Sequence, residues 1–369
     1  MLDFYNFDEF SIPYWIRVLY WGLYMVVFVY AVWKKVLSTP KNILKKEVSG
    51  LFGVLFALYA VFYCINPDYF SYREWLNETD VKYWEKENVY IHIVLFCRSL
   101  SFDYPYEVFR LIVWGGGILM AYYTFRMYKR LMLPGLALLL LFVFHASTFC
   151  YSRASLAMAV YFFGIALALC HRRLIPKIIG IGIALSSFYF HHEMIIAIAV
   201  LPILFLPLEK KKYTILSILL LFVAIYVVSF ISSDLSYLDL MFDNEDLSSR
   251  IENVSEKGQG VFRLSTLVNY LKYFYPFYLI TRYLWKKEVP KPIAKMYRIT
   301  CGILIISVVF MIVYGLRSVY TYRVLYMAMI PLTLLIDYGY CHGYFKKKHL
   351  LLMLLIAVLA NSIRFINAQ

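Results

Sequence analysis

Several arginines and histidines of this chain fall where cations are unusual for a membrane protein. When the apolar stretches are placed as membrane spans, most lysines and arginines collect on one side, as is typical of cytoplasmic loops. A smaller set falls on or near the opposite side: Arg153, His191, His192, Arg250, Arg263, Arg317 and Arg323. An anionic substrate is the simplest reason for cations on that side, and the guanidinium fork of arginine binds two phosphate oxygens at once.

Arg153 lies at the expected outer end of the fifth apolar stretch, in the sequence Tyr151-Ser-Arg153-Ala-Ser155. The small and apolar residues that follow predict a helix that begins here. The free N–H groups of a helix N-terminus suit a phosphate group. Because a cation at this end opposes the helix dipole, substrate binding is favoured over an arginine that only extends to the lipid interface.

Arg317 and Arg323 are six residues apart, and tyrosines including Tyr322 lie between them. This pattern would suit a phosphate or a sugar acid flanked by aromatic faces on which sugars stack. An aromatic belt with anchoring arginines would give a similar pattern, and this alternative stays open.

The sequence Phe190-His191-His192-Glu193 lies at the expected outer junction of two apolar stretches. A histidine beside a carboxylate suits general-base chemistry or the binding of a sugar hydroxyl. Neighbouring histidines on a helix do not face the same way, and no third ligand follows at a metal-binding spacing, so a metal site is disfavoured. A hydrated interfacial pair is the alternative, and spacing does not rank His191 against His192.

The stretch 232–265 is expected to be a long outer loop that carries acidic residues together with Arg250, Arg263, Gly258 and Gly260. Loops of this length commonly bind a ligand, close over an active site or are disordered. Mixed charge and a Gly-Gln-Gly turn suit a mobile lid over a polar substrate. A solvated loop without a role is the alternative.

Composition defines the class of protein that must position these residues. The hydrophobic fraction is 62% and the charged fraction 16%, and the mean hydropathy is +0.66. These values exclude an ordinary soluble domain. The net charge of +14 is concentrated in short loops between apolar stretches, where it sets topology, so nucleic acid is not expected as a partner. The sequence predicts an all-α polytopic integral membrane protein.

Loop charge predicts about twelve transmembrane helices in a single transmembrane domain covering residues 1–369, with both termini outside. The loop after the first span is strongly basic, so it is expected to lie in the cytoplasm. The apolar stretch 89–102 is short and contains His92 and Arg98. If it crossed the membrane, every later basic loop would be inverted, so a re-entrant or interfacial helix within an outer loop at 66–106 is predicted. The next span is expected at about residues 107–125.

Several short motifs, in order along nearly the whole chain, resemble elements of the EpsG family, which are Wzy-type polysaccharide polymerases. They are Asn66-Pro-Asp68-Tyr69-Phe-Ser-Tyr72, Glu87-Asn-Val-Tyr90, Arg153-Ala-Ser-Leu-Ala157, Phe190-His191-His192 and the late Arg323. Two positions differ from the family pattern. Ala154 stands where Gln is usual, and Glu193 follows the histidines where Ser is common.

The resemblance implies an enzyme of exopolysaccharide, capsule or O-antigen biosynthesis in the bacterial cytoplasmic membrane. It would join oligosaccharide repeat units carried on undecaprenyl diphosphate at the outer face, with membrane lipids and a chain-length regulator as further partners. His191, Asp68 or Glu193 would accept the proton of the attacking hydroxyl. In the family pattern one histidine directly follows Phe, which favours His191 over His192. Arg153, Arg323, Arg317 and Arg250, with Tyr72 and His192, would bind the substrate. Arginine can stabilise the leaving diphosphate, so no metal or other cofactor is expected.

Two other functions agree with parts of the pattern. A membrane O-acyltransferase that modifies a glycan would also use an outer-face histidine and arginines. A flippase for the lipid-linked oligosaccharide would carry charged residues deep in a central cavity, whereas the ionisable groups here gather at one face. The one-sided distribution favours an enzyme.

Overall fold

The computed structural model describes residues 14–33, 88–100, 105–145, 152–213, 215, 264–314 and 319–367. Within these ranges every regular element is a helix. The chain divides into two compact units, the first formed by Met1–Ile198 and Ile336–Gln369 and the second by Ala199–Leu335. The all-α class is therefore confirmed for the described residues, while the prediction of one transmembrane domain stays a prediction.

The helices alternate with short connections along the described ranges. They are α1 (Tyr14–Val32), α2 (Asn88–Leu100), α3 (Pro105–Met127), α4 (Pro134–His145), α5 (Ser152–Cys170), α6 (Leu174–Phe190), α7 (Met194–Ala199), a 3-10 helix (Leu201–Phe205), α8 (Leu264–Leu284), α9 (Lys291–Tyr314), α10 (Val319–Met327), α11 (Met329–Cys341) and α12 (Lys347–Asn367). The expected helices near 89–102 and 107–125 correspond to α2 and α3. The expected helix start at Arg153 corresponds to α5.

In the first unit, α4 is enclosed by other helices, and side chains from those helices bind both of its ends. The N–H of Leu133, just before α4, donates to Oδ2 of Asp337 at 2.9 Å. At the other end, Asn361 Nδ2 donates to the carbonyl oxygens of Val143 at 2.9 Å and Phe144 at 3.4 Å. Helix ends carry backbone groups without an intrahelical partner, and lipid offers them none. These two side chains therefore allow a short apolar helix to be buried.

Helices α5 and α6 pack through small residues. A Cβ added at Gly180 would lie 2.5 Å from the carbonyl oxygen of Gly164 and 2.7 Å from the backbone nitrogen of Ala168. A Cβ added at Gly164 would lie 2.5 Å from the backbone nitrogen of Ala184. Small residues four apart on each helix allow the backbones to touch, which is a common form of helix packing in membranes.

Polar and apolar faces are inverted on α8, relative to a helix in water. Thr266, Asn269 and Lys272 are buried, whereas Leu267 and Leu271 are exposed. Polar residues inside and aliphatic residues outside are expected where the outer face contacts lipid. The exposed side of α6 is also aliphatic, with Ile175, Ile178, Ile179 and Leu185 among its residues.

The predicted count of about twelve spans is not confirmed. Among the described residues, the segment Lys291–Ile312 is long and apolar enough to cross a membrane by itself. The pair Thr321–Met327 and Met329–Cys341 would be a second span only if it is counted as one bent unit. Six further apolar helices are 10–17 residues long, and at about 1.5 Å per residue they fall short of a hydrocarbon core of about 30 Å.

Prolines explain two of the differences from continuous spans. Residues 194–205 form the six-residue α7 and a 3-10 helix with a proline in its first turn, Pro202. The chain bends by 45° between α10 and α11. Pro331 lies four residues after Met327, the last residue of α10. Proline cannot donate to the carbonyl four residues earlier and its ring clashes with that group, so the helix bends there.

In the second unit, an ion pair ties the segment after the 3-10 helix to α9. Arg298 donates through Nε to Glu209 Oε2 at 2.8 Å and through Nη2 to Oε1 at 2.6 Å. Its Nη1 donates to the carbonyl oxygen of Leu204 at 2.6 Å. Burial alone would raise the pKa of the Glu209 carboxyl, but the hydrogen bonds and charge of Arg298 outweigh burial and hold this pKa below its ordinary value.

The α5–α6 contact predicts different effects for two glycine substitutions on the same helix. Gly180→Ala should lower the stability of the detergent-solubilised protein by about 1–3 kcal/mol, because its Cβ meets backbone. Gly182→Ala is the matched control, since a Cβ there meets nothing within 4 Å. It should leave stability unchanged or raise it by up to about 1 kcal/mol. Thermal unfolding of both variants measures the difference, and equal midpoints would contradict the packing.

Glu209→Gln should lower stability at neutral pH by about 1–3 kcal/mol, because Arg298 loses a charged partner. Since the pKa of Glu209 is lowered on folding, the carboxylate stabilises the protein above its ordinary pKa of 4.5, and this contribution is lost as pH falls through the lower folded value. The difference between wild type and variant should therefore shrink well below pH 4.5. Glu288→Gln, at an exposed position, is the control. A constant difference across pH would contradict the pairing.

Candidate functional site

The α5–α6 hairpin determines which predicted site residues share one end of the first unit. Three residues connect the helices, from Cys170 to Leu174, and Gly164 lies against both Gly180 and Ala184. This register is antiparallel, so the beginning of α5 lies at the end where α6 finishes. Arg153, the second residue of α5, is thus placed at the same end as the turn that follows Phe190. The side chain of Arg153 lies outside the described part.

The turn from His191 to Glu193 brings the predicted imidazole and carboxylate together. The backbone N–H of Glu193 donates to Nδ1 of His191 at 3.4 Å, and Nε2 of the same ring lies 3.9 Å from Glu193 Oε2. Both side chains are largely buried, at 15% and 21% exposure. When Nδ1 accepts a hydrogen bond, the proton of the neutral imidazole lies on Nε2. The protonated nitrogen of the neutral ring is therefore the one that lies 3.9 Å from the carboxylate.

The structure distinguishes the two histidines that spacing left equal. His192 is exposed, and its ring lies against that of Phe188 at 5.2 Å between centroids. His191 instead turns toward Glu193. His191 is therefore the member of the pair that is built into a polar site.

An aromatic contact brings a third chain segment to this end of the unit. The ring of Tyr90, near the beginning of α2, lies 6.3 Å from that of Phe190 at 89° and 6.1 Å from that of Phe109 in α3. Tyr90 is completely buried. Because Phe190 directly precedes His191, this contact helps to fix the direction in which α6 ends. Sequence reasoning quoted Tyr90 in a motif but did not assign it to the site.

Arg323 belongs to the second unit, on the short helix α10. The preceding residue, Tyr322, stacks on Tyr270 of α8 with centroids 5.9 Å apart and planes at 25°. Thr321 is buried, and Arg323 is partly buried. Arg323 therefore directly follows packed aromatic and hydroxyl residues along α10, and its role in substrate binding stays a prediction.

Lys272 is a buried cation that sequence reasoning missed. It lies on α8, two residues after Tyr270, and is only 1% exposed. A lysine near the middle of an apolar stretch is costly in a membrane and commonly marks a functional site. The position of Lys272 within the apolar stretch 264–284 is the sequence signal that points to it.

Four predicted site residues lie outside the described residues: Asp68, Tyr72, Arg250 and Arg317. The proposed lid at 232–265 is also outside, except for its last two positions, which begin α8. Their roles stay predictions. Within the described ranges, no three His, Cys, Asp or Glu residues are grouped so that they could hold a metal ion.

Comparison with known proteins gives one match. The model of the EpsG family matches residues 48–368 of the chain. No curated protein and no solved structure matches it significantly. The family match covers all the sequence motifs described above, from the segment containing Asp68 to Arg323.

The antiparallel hairpin predicts which positions are labelled from the same side of the membrane. In a cysteine-free background, Ser152→Cys and His192→Cys should react with a membrane-impermeant maleimide added outside intact cells. Arg172→Cys, at the connection between α5 and α6, should react only after permeabilisation. Labelling of positions 152 and 192 from opposite sides would contradict the hairpin, and labelling of both only from the cytoplasm would invert the predicted topology.

Proposed function

Because this chain belongs to the EpsG family of Wzy-type polysaccharide polymerase-like proteins, we propose that it is a polysaccharide polymerase. The family supports a membrane protein of polysaccharide biosynthesis. The proposed reaction joins oligosaccharide repeat units held on undecaprenyl diphosphate at the outer face of the cytoplasmic membrane. The product would be an exopolysaccharide, capsule or O-antigen chain, and a chain-length regulator would be a further partner.

One observation supports this proposal most strongly. The N-terminus of α5, which carries Arg153, lies at the same end of the first unit as the His191–Glu193 turn. A cation at a helix N-terminus suits a phosphate, and a carboxylate beside an imidazole suits a hydroxyl. Polymerisation needs both groups, since its donor carries a diphosphate and its acceptor reacts through a hydroxyl.

The proposed step is a displacement at the anomeric carbon. The acceptor oxygen forms a bond to this carbon while the bond from the carbon to the diphosphate oxygen breaks, and its electron pair leaves with the lipid diphosphate. Arg153 and Arg323 would neutralise the growing negative charge, with Arg317 and Arg250 as further candidates. The proton of the acceptor hydroxyl passes to a carboxylate or imidazole.

The geometry of the turn favours Glu193 as the proton acceptor and His191 as the residue that positions it. Nδ1 of His191 accepts the Glu193 N–H, so the proton of the neutral ring lies on Nε2, the nitrogen near the carboxylate. A separation of 3.9 Å is long for a hydrogen bond, but such contacts often shorten when substrate binds. Asp68, in the segment after the second apolar stretch, is the other candidate base.

Buried Lys272 favours a second candidate, a flippase for the lipid-linked oligosaccharide. A flippase moves a charged head group through the membrane and needs cations at depth. The two functions predict different intermediates in a deletion strain. Loss of a polymerase leaves lipid-linked single repeat units at the outer face, whereas loss of a flippase leaves them at the inner face.

Substitutions at the end of the hairpin should abolish long-chain polymer. Arg153→Ala is expected to lower the polymerisation rate by about 10²–10³-fold through lost charge stabilisation. Glu193→Gln is expected to lower it by about 10²–10⁴-fold through lost proton transfer. The measurement is the chain-length distribution of the polymer from membranes that contain equal amounts of each variant.

Two further comparisons between variants test whether the effect is specific to this end of the hairpin. Arg172→Ala removes an arginine at the opposite end of the same hairpin and should preserve long chains. His191→Ala should impair polymerisation more than His192→Ala, since His191 contacts Glu193. Normal polymer from Arg153→Ala and Glu193→Gln together would overturn the site.

A further inference from the structure

The second unit contains a basic cavity of about 450 Å³ that no part of the polymerase proposal uses. Its walls come from two segments far apart in sequence, one following the 3-10 helix and one following α8. Its charged and aromatic lining includes Lys210, Lys211, Trp285, Lys286, Lys287 and Glu288. A cavity of this size lies within the range of about 300–1,000 Å³ typical of small-molecule sites.

The wall of the cavity is fixed by the Arg298–Glu209 pair. Both carboxylate oxygens of Glu209 accept hydrogen bonds from Arg298, so its negative charge is neutralised where it borders the cavity. Arg298 also binds the Leu204 carbonyl. The lysines that follow Glu209 are thereby attached to a braced segment and not to a freely moving loop.

An indole ring lies among the lysines. Nζ of Lys211 is 5.9 Å from the ring centroid of Trp285, so this contact joins the two walls of the cavity. Lys287 lies over the ring of Tyr283, with Nζ 5.4 Å from its centroid. Tryptophan with lysine is typical of the level at which lipid head groups lie.

We propose that this cavity binds the phosphate of an anionic phospholipid head group, such as that of phosphatidylglycerol. Four lysines face two carboxylates, one of which is already paired with Arg298, so the cavity attracts an anion. Lysine binds phosphate as a point charge. The distribution of loop charge predicts that both walls lie on the cytoplasmic side, where basic pockets between helices bind anionic head groups.

A soluble phosphate would meet the same lysines, but the indole favours the lipid. Trp285 offers an amphipathic face on which the glycerol backbone of a phospholipid can pack. Inorganic phosphate has no such backbone. Lysines that only set topology would be dispersed in solvent, whereas here two basic runs converge on one cavity. This inference does not depend on the polymerase proposal.

The test uses the full-length protein, delipidated in detergent and titrated with phosphatidylglycerol or phosphatidylcholine, with bound lipid counted by native mass spectrometry. The cavity variant Lys211→Gln/Lys286→Gln removes one lysine from each wall. Its matched control, Lys212→Gln/Lys291→Gln, removes the same charge from neighbouring positions that do not line the cavity. Lys211→Arg/Lys286→Arg keeps the charge.

We expect the cavity variant to lose phosphatidylglycerol affinity by about tenfold or more, while the control and the arginine variant stay within about twofold of wild type. Thermal unfolding checks that each variant is folded, and the single substitution Lys286→Gln serves if the double variant is not. It should lower affinity about fivefold.

Three results would overturn the proposal. Equal losses in the cavity variant and its control would indicate diffuse surface charge. Phosphatidylcholine that binds as tightly as phosphatidylglycerol would remove the role of the net negative charge. Displacement of the lipid by an equal concentration of inorganic phosphate or glycerol phosphate would assign the cavity to a soluble phosphate. Polymer assays on the same variants would report separately on the proposed function.

Discussion

The close approach of α5 to α6 is the contact on which the candidate site of the first unit depends. At Gly164 and Gly180 the two backbones touch, and no side chain larger than hydrogen fits between them. This contact fixes the antiparallel register of the hairpin. The register in turn brings the α5 N-terminus to the turn that holds His191 and Glu193. Tyr90 then packs on Phe190 and adds α2 to the same end.

Several polar groups buried among apolar helices have side-chain or backbone partners, and this pairing explains their locations. Asp337 and Asn361 bind the two ends of α4, and Tyr24 also donates to the Val143 carbonyl at 2.9 Å. In the second unit Arg298 binds Glu209. Because lipid cannot replace such partners, each pair constrains where its helices can lie. The short α4 is retained in the interior for this reason.

Local features of the fold could be predicted from the sequence, because they depend on neighbouring residues. The beginning of α5 at Ser152, the helix near 107–125 and the turn at His191 follow from where apolar stretches begin and end. The division of apolar segments at Pro202 and Pro331 could have been predicted from proline chemistry. It was missed because hydropathy alone treats a kinked stretch as one span.

Features that depend on tertiary packing could not be predicted in this way. Spacing left His191 and His192 equivalent. The family pattern favours His191 because it directly follows Phe190, but the contact of His191 with Glu193 depends on the direction in which α6 ends. The Arg298–Glu209 pair joins residues 89 positions apart, and the cavity beside it is formed by segments that hydropathy treats as separate loops. Lys272 is different, since a lone lysine in an apolar stretch is visible in the sequence. The charge pattern that predicts topology concerns residues between spans, whereas Lys272 lies within an apolar stretch.

For the proposed polymerase, the exposed side of α6 has a consequence for how a lipid-linked donor would arrive. Leu174, Ile178, Ile181, Leu185 and Tyr189 leave aliphatic and aromatic surface uncovered along the helix, which ends one residue before His191. A sugar attached to a long isoprenoid diffuses within the plane of the bilayer and cannot leave it for water. The isoprenoid tail of such a molecule would contact this apolar surface of α6. Its head group would then lie at the same level of the membrane as the His191 ring. Capture would become a two-dimensional search guided by the tail.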